Sequence, residues 1–213
     1  MMIEIKNLTK KFEKTLSLDT VNLTLAKGDS IALMGANGAG KTTLIRSILG
    51  YYHPNSGSVR VKGLDPIQQR TEVLQHISFV PQLPPPIKLS LSELIFYVCK
   101  SSGVEERQIY EYAEKMKLDI KSNLSKSFFK LSGGMKQKLL IAISLAKQSE
   151  IVIYDEPTAN LDPKARDDFY RLIEESQKEK LSLFVTHRIE EVQSIVNRQI
   201  YMDMGKVISD ESC

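Results

Sequence analysis

The stretch SIALMGANGAGKTTLIRSILG, Ser30 to Gly50, constrains this chain more than any other. SIALM is a short apolar run suited to a buried strand, and TLIRSILG carries its apolar residues at helical spacing. Between them Gly35, Gly40, Lys41 and Thr42 satisfy G-x-x-x-x-G-K-[ST]. Glycines let the backbone curl so that successive N–H groups point inward, and the helix N-terminus adds its partial positive charge. Lys41 supplies a full charge for the outer phosphates, and the Thr42 hydroxyl can ligate Mg²⁺. The expected nucleotide-binding loop is Gly35, Ala36, Asn37, Gly38, Ala39, Gly40, Lys41, Thr42 and Thr43. This much indicates a P-loop nucleotide binder. It does not separate a kinase from a GTPase or a motor.

The rest of the chain reads as strands alternating with helices. MMIEIKNL and SLDTVNLTL have period-two patterning, divided by a basic stretch around TKKFEK; SVRVKG and HISFVPQ are strand-like. From Leu89 to about Phe129 the texture is helical, which predicts an inserted lobe. Beyond it LSGGMKQKLLIAISLAK reads as helix, EIVIYDEP as buried strand and PKARDDFYRLIEESQKE as helix. LSLFVTH is then strand, RIEEVQSIV helix, and RQIYMDMGKVISD two short strands. The pattern predicts an α/β fold: a P-loop NTPase core with a mostly parallel sheet, an antiparallel edge at the N-terminus and an inserted helical subdomain. A single domain over 1–213 is expected, with the core in 1–88 and 130–208, the lobe in 89–129 and a short tail at 209–213.

Composition excludes several classes. A net charge of +3, from 29 basic and 26 acidic residues, is too balanced for a chain that coats nucleic acid, so no nucleic-acid partner is expected. Two cysteines without paired spacing, Cys99 and Cys213, indicate neither a disulfide framework nor a zinc site. Cys99 follows Leu91, Leu94, Ile95 and Val98 at helical spacing and reads as a small apolar core residue. The start shows no signal-peptide core, and no window approaches the ~20 apolar residues of a membrane span. A cytoplasmic product is expected, with any membrane crossing left to another polypeptide.

Two further stretches carry chemistry. IVIYDEP places Asp155 and Glu156 at the end of an apolar strand, where ligands bind in open α/β sheets. Asp155 suits Mg²⁺, and Glu156 can polarise a water that attacks a γ-phosphate. LSGGMKQK, from Leu131, begins with Ser132, a good N-cap, followed by Gly133 and Gly134 and then a helix. Taken alone it is a capped helix start; it is equally a second anion site. One nucleotide needs one cradle, so a second cradle suits a partner's nucleotide, with two copies related by a two-fold axis.

GANGAGKT, LSGGMKQ and IVIYDEP in this order resemble the ATP-binding cassette (ABC) ATPase family, and the resemblance runs from Ile3 to about Ile208. It implies ATP and Mg²⁺ as ligands, with Ser132, Gly133 and Gly134 touching the γ-phosphate of the opposite subunit's ATP. It implies that Phe12 stacks on adenine, where family members more often use tyrosine; a packed edge-strand aromatic is the plain alternative. Gln82, in FVPQ, matches a loop glutamine that senses Mg²⁺, so Thr42, Gln82 and Asp155 are the implied metal ligands. Asn160 and Asp162, in ANLD, match a loop that communicates across the dimer, and His187 matches a switch histidine at the γ-phosphate. Lys41, Glu156 and His187 are the implied catalytic set. The signature departs mildly from the usual form, with Met135 where Gln is frequent and Lys138 where Arg is usual.

The resemblance implies an ATPase subunit of an ABC transporter that dimerises with itself or a paralogous cassette. It would drive a separate polytopic permease docked on the helical lobe, and would sit peripherally on the inner face of the cytoplasmic membrane. LSELIFYVCKSSGV and DEPTANLDP look similar to the ABC-2-type export branch, so an exporter is expected. The alternative is a soluble ABC ATPase of repair, translation or envelope regulation. The interval between loop and signature has no room for a repair-type coiled coil, and the chain has one cassette where translation types usually have two.

Overall fold

Strand β3 (Ser30–Met34) is apolar on both faces and almost wholly buried, as the interior of a parallel sheet requires. It pairs in parallel with β7 (Leu181–Val185) and β8 (Arg198–Asp203), Ile31 lying opposite Leu183 and Arg198. The computed structural model describes residues 1–176 and 179–213. The main sheet has six strands, with β5 (Ile77–Val80), β6 (Ile151–Asp155) and β9 (Lys206–Ser212) completing the order β5-β6-β7-β3-β8-β9. β9 closes it as an antiparallel hairpin with β8 and continues through Ser212, opposite Arg198.

The N-terminal strands form a sheet of their own. β1 (Ile3–Phe12) lies between β2 (Thr15–Leu25) and β4 (Ser56–Val61), all antiparallel. Ile3 and Ile5 are buried, and an irregularity before Leu8, with Asn7 at φ 48°, brings Leu8 back to the buried face. The basic stretch expected to divide the strands is instead strand up to Phe12. Exposed lysines at the strand end cost nothing there, and Glu13, at φ 48°, takes the turn to Thr15.

Two compact units divide the chain. The first takes Met1–Ile77, Glu150–Ile153 and Gln177–Cys213, described from Glu179 on; the second takes Ser78–Ser149 and Tyr154–Ser176. In the first, α1 (Lys41–Ile48) buries Leu44, Ile45 and Ile48, and α2 (Arg70–His76) buries only Val73. Helix α2 has no counterpart in the sequence reading, because one apolar anchor gives no periodicity. Helix α7 is the single turn Ile189–Val192, shorter than RIEEVQSIV suggests. Ser30 Oγ donates to the Ile195 carbonyl (2.6 Å), and Asn197 exchanges two hydrogen bonds with the Ser30 backbone. Those bonds draw the chain onto the start of β3 before a second turn can form.

The second unit holds the helices. α3 (Leu91–Ser102) starts with a reciprocal Ser90–Glu93 capping box and stops at Gly103 in the left-handed region. α4 (Glu106–Lys115) and α5 (Gly133–Lys147) complete a core of Leu91, Leu94, Ile95, Ile109, Phe128 and Leu139, among others. Cys99 packs at its margin, where burial pushes the thiol up. α6 (Pro163–Ser176) packs Phe169 edge-on against Tyr154, centroids 5.4 Å apart. Its buried Asp168 accepts from Arg171 (3.0 Å) and from Lys117. The helix expected over 163–179 is described to Ser176; positions 177 and 178 lie outside the described residues.

Phe128 is fully buried at the centre of this helical core. Phe128→Ala is expected to cost about 3–5 kcal/mol, read from chemical denaturation. A loss below about 1 kcal/mol would show that the core does not depend on it.

Candidate nucleotide site

In the first unit, β3 ends at Met34 and α1 begins at Lys41, with the glycine loop between. Gly35 is buried at φ 141°, and a β-carbon there would lie 2.1 Å from the Met202 carbonyl oxygen. Gly40 is the α1 N-cap at φ 102°, and a β-carbon there would lie 2.6 Å from the Ser17 carbonyl oxygen. Both positions therefore need glycine. Ala36, Asn37 and Gly38 are exposed, whereas Ala39 is buried, its N–H donating to Ala36 O and its carbonyl accepting from Gly205 N.

Lys41 is 7% exposed, and its ammonium donates to Gly35 O (2.6 Å) and Ala36 O (3.0 Å). The lysine thereby ties the head of the loop to the helix. Gly40, as the N-cap, offers no side chain to the α1 N-terminus. Backbone N–H groups, a helix dipole and a nearby ammonium make a site for a polyanion. Thr42 is exposed, and Thr43 Oγ1 lies 2.7 Å from Ser17 Oγ, a contact that nothing in the sequence announces.

Phe12 stands exposed at the end of β1, edge-to-face with Tyr52, centroids 4.9 Å apart. His187 is exposed after β7, in a turn where Arg188 N donates to Thr186 Oγ1 (2.9 Å).

The second unit gathers the remaining candidates. Asp155 is the last residue of β6, and Glu156 follows at φ 45°, a left-handed conformation that costs a non-glycine residue about 1–2 kcal/mol. Gln82 Nε2 donates to Glu156 Oε2 (2.9 Å), and Asn160 Nδ2 donates to the Gln82 carbonyl (3.3 Å). A β-carbon on Gly134 would lie 3.1 Å from the Asn160 carbonyl oxygen, so the start of α5 packs closely on that loop. Glu156, Gln82, Asn160 and the Gly133–Gly134 turn are thus one connected group.

Two candidates first serve as helix caps. Ser132 Oγ accepts from Met135 N (3.2 Å), capping α5. Asp162 accepts from Ala165 N (2.9 Å) ahead of Pro163, and that bond holds its carboxyl below the usual range. Sequence reasoning passed over Gln137, which is fully buried and donates to the Pro81 carbonyl (3.3 Å) beside Gln82.

Thr42, Asp155 and Gln82 carry the hard oxygen donors Mg²⁺ prefers; the Gln82 amide nitrogen is on Glu156, so a metal would take Oε1. Among the described residues no group of three or more His, Cys, Asp or Glu could hold a metal. Few protein ligands fit an ion that keeps water and arrives bound to phosphates.

Comparison with known proteins follows the same line. The family model described as ABC transporter matches residues 18–159. The ABC transporter ced-7 of Caenorhabditis elegans is 33% identical over 214 residues, covering 97% of this chain, which spans 12% of that protein. The energy-coupling factor transporter ATP-binding protein EcfA2 of Clostridium tetani is 34% identical over 227 residues, covering 99% of this chain and 78% of that protein. Further relatives carry the word import in their names. Among solved structures, the dimeric post-hydrolysis ATP-binding cassette MJ0796 bound to ADP and Pi matches with a TM-score of 0.84 at 25% identity, covering 99% of this chain and 98% of that one.

The steric demand at Gly35 can be tested directly. Gly35→Ala is expected to lower the melting temperature of the nucleotide-free protein, by a loss of more than about 1 kcal/mol. An unchanged melting temperature would mean that the loop can withdraw from Met202 freely.

Proposed function

Because this chain belongs to the ABC transporter family, as an ATP-binding and ATP-hydrolysing cassette, we propose that it works as half of a sandwich. Two cassettes, two copies or one copy and a paralogue, close around two Mg-ATP and drive a separate polytopic permease. ATP touches both subunits only in the closed state, so it shifts the equilibrium toward closure. Hydrolysis removes that preference and releases the pair.

In this reading the loop from Gly35 to Thr43 holds the phosphates, with Lys41 on the outer ones and Phe12 against the base. Thr42, Asp155 and Gln82 would hold Mg²⁺, which when bound would offset charge on the phosphates. Glu156 takes a proton from the attacking water as its oxygen bonds to the γ-phosphorus and ADP leaves. His187 holds the γ-phosphate. Ser132, Gly133 and Gly134 present the α5 N-terminus to the opposite subunit's ATP, and Asn160 and Asp162 carry the signal between subunits.

The observation that supports this best is the connected group in the second unit. The carboxylate assigned to water, the glutamine assigned to metal and the turn assigned to the partner's nucleotide are linked through Asn160. A contiguous set of contacts of this kind is what coupling of hydrolysis to dimer opening needs.

The permease docks on the helical lobe and keeps the cassette at the inner face of the cytoplasmic membrane. Among the described residues no helix is long and apolar enough to cross a membrane. Export is the assigned direction, resting on the resemblance of LSELIFYVCKSSGV and DEPTANLDP to the export branch. Cargo carried out of inside-out vesicles by the reconstituted complex would reverse it.

Two variants test the assignment of roles. Lys41→Ala should weaken Mg-ATP binding at least ~10-fold, from lost hydrogen bonds to a charged group. Undiminished affinity by titration calorimetry would remove the lysine from the cradle. Glu156→Gln should slow hydrolysis ~10²–10⁴-fold and accumulate an ATP-bound dimer on size exclusion. Turnover at the native rate would take Glu156 out of the chemistry.

A further inference from the structure

The loop that follows α1 does more than lead into β4. Asn55 N donates to the Thr9 carbonyl (2.8 Å), Lys11 N donates to Asn55 Oδ1 (2.7 Å), and Lys10 Nζ donates to the His53 carbonyl (2.7 Å). Three hydrogen bonds thus clip this loop to the end of β1, next to Phe12. Tyr52, on the clipped loop, meets Phe12 edge-to-face at 4.9 Å and 75°. The Lys10 ammonium lies 4.9 Å from the Phe12 ring centroid and 5.8 Å from that of Tyr52. Arg46, in the last turn of α1, donates from Nη1 to Tyr52 Oη (2.7 Å).

A phenylalanine that is 38% exposed at a strand end is free to change rotamer unless its neighbours forbid it. Here the neighbours are an aromatic ring and an ammonium, both held by further bonds. We propose that Tyr52 is a positioning residue for nucleotide recognition: it fixes the Phe12 ring as a platform for a purine base. Arg46 bonds Tyr52 to the same helix whose N-terminus forms the phosphate loop. Base platform and phosphate loop are thereby both tied to α1. The inference rests on the reading of Phe12 as the base-stacking residue.

The test compares Mg-ATP with magnesium tripolyphosphate, which presents phosphates without a base, by titration on the full chain. Tyr52→Ala should weaken Mg-ATP about three- to tenfold, the worth of an aromatic pair, and leave tripolyphosphate affinity unchanged. Tyr52→Phe keeps the ring and should restore most of the ATP affinity. Phe12→Ala, as the reference, should lower the ratio of the two affinities at least as much. If Phe12→Ala lowers that ratio and Tyr52→Ala does not, the role of Tyr52 is overturned and that of Phe12 stands. If Phe12→Ala leaves the ratio unchanged, the base-stacking reading fails first. Equal losses for both ligands in Tyr52→Ala would mark general damage to the loop and also overturn the proposal.

Discussion

The approach of the loop backbone to the Met202 carbonyl is the constraint on which the first unit turns. No side chain fits between Gly35 and that oxygen, so the loop leaves β3 pressed against β8. Lys41 then draws the loop's first two carbonyls toward the helix start, and Gly40 completes the curl in a conformation other residues rarely adopt. Steric exclusion sets the path, and hydrogen bonds to an ammonium hold it. The N-terminal end of α1 is thereby set at the mouth of the loop.

The second unit is organised by side-chain amides. Gln82 spans from Asn160 to Glu156, and Gln137 holds the carbonyl just before it from within the helical core. Among the described residues the Gln137 side-chain oxygen, Oε1, has no hydrogen-bond partner although the side chain is wholly buried. An unmet acceptor in the interior is costly, and one beside a loop of this kind is a natural place for rearrangement. The left-handed backbone at Glu156 adds local strain to the same group.

What could be read in advance follows from how local each signal is. The glycine loop, the Ser132 cap and the β6 run are short stretches whose meaning lies in adjacent residues, and they stand where the pattern puts them. Helix α2 was illegible because one buried valine makes no period. Helix α7 was overestimated because the bonds that end it come from Ser30 and Asn197, far from the helix or outside its pattern. Tyr52 and Ser17 meet Phe12 and Thr43 from far along the chain, and Gln137, though inside LSGGMKQ, matters through Pro81, 56 residues away. The N-terminal strands were legible as antiparallel, but their separation into an independent sheet depends on β4, which pairs with β1 from beyond α1.

The cap at Ser132 bears on what its hydroxyl can do outward. One of the oxygen's two lone pairs is engaged by the Met135 amide, which leaves the hydrogen and one lone pair to face outward. A hydroxyl held in that way gives its hydrogen most strongly to an anionic acceptor. The capping bond that begins the helix therefore also orients the hydroxyl that the helix start presents.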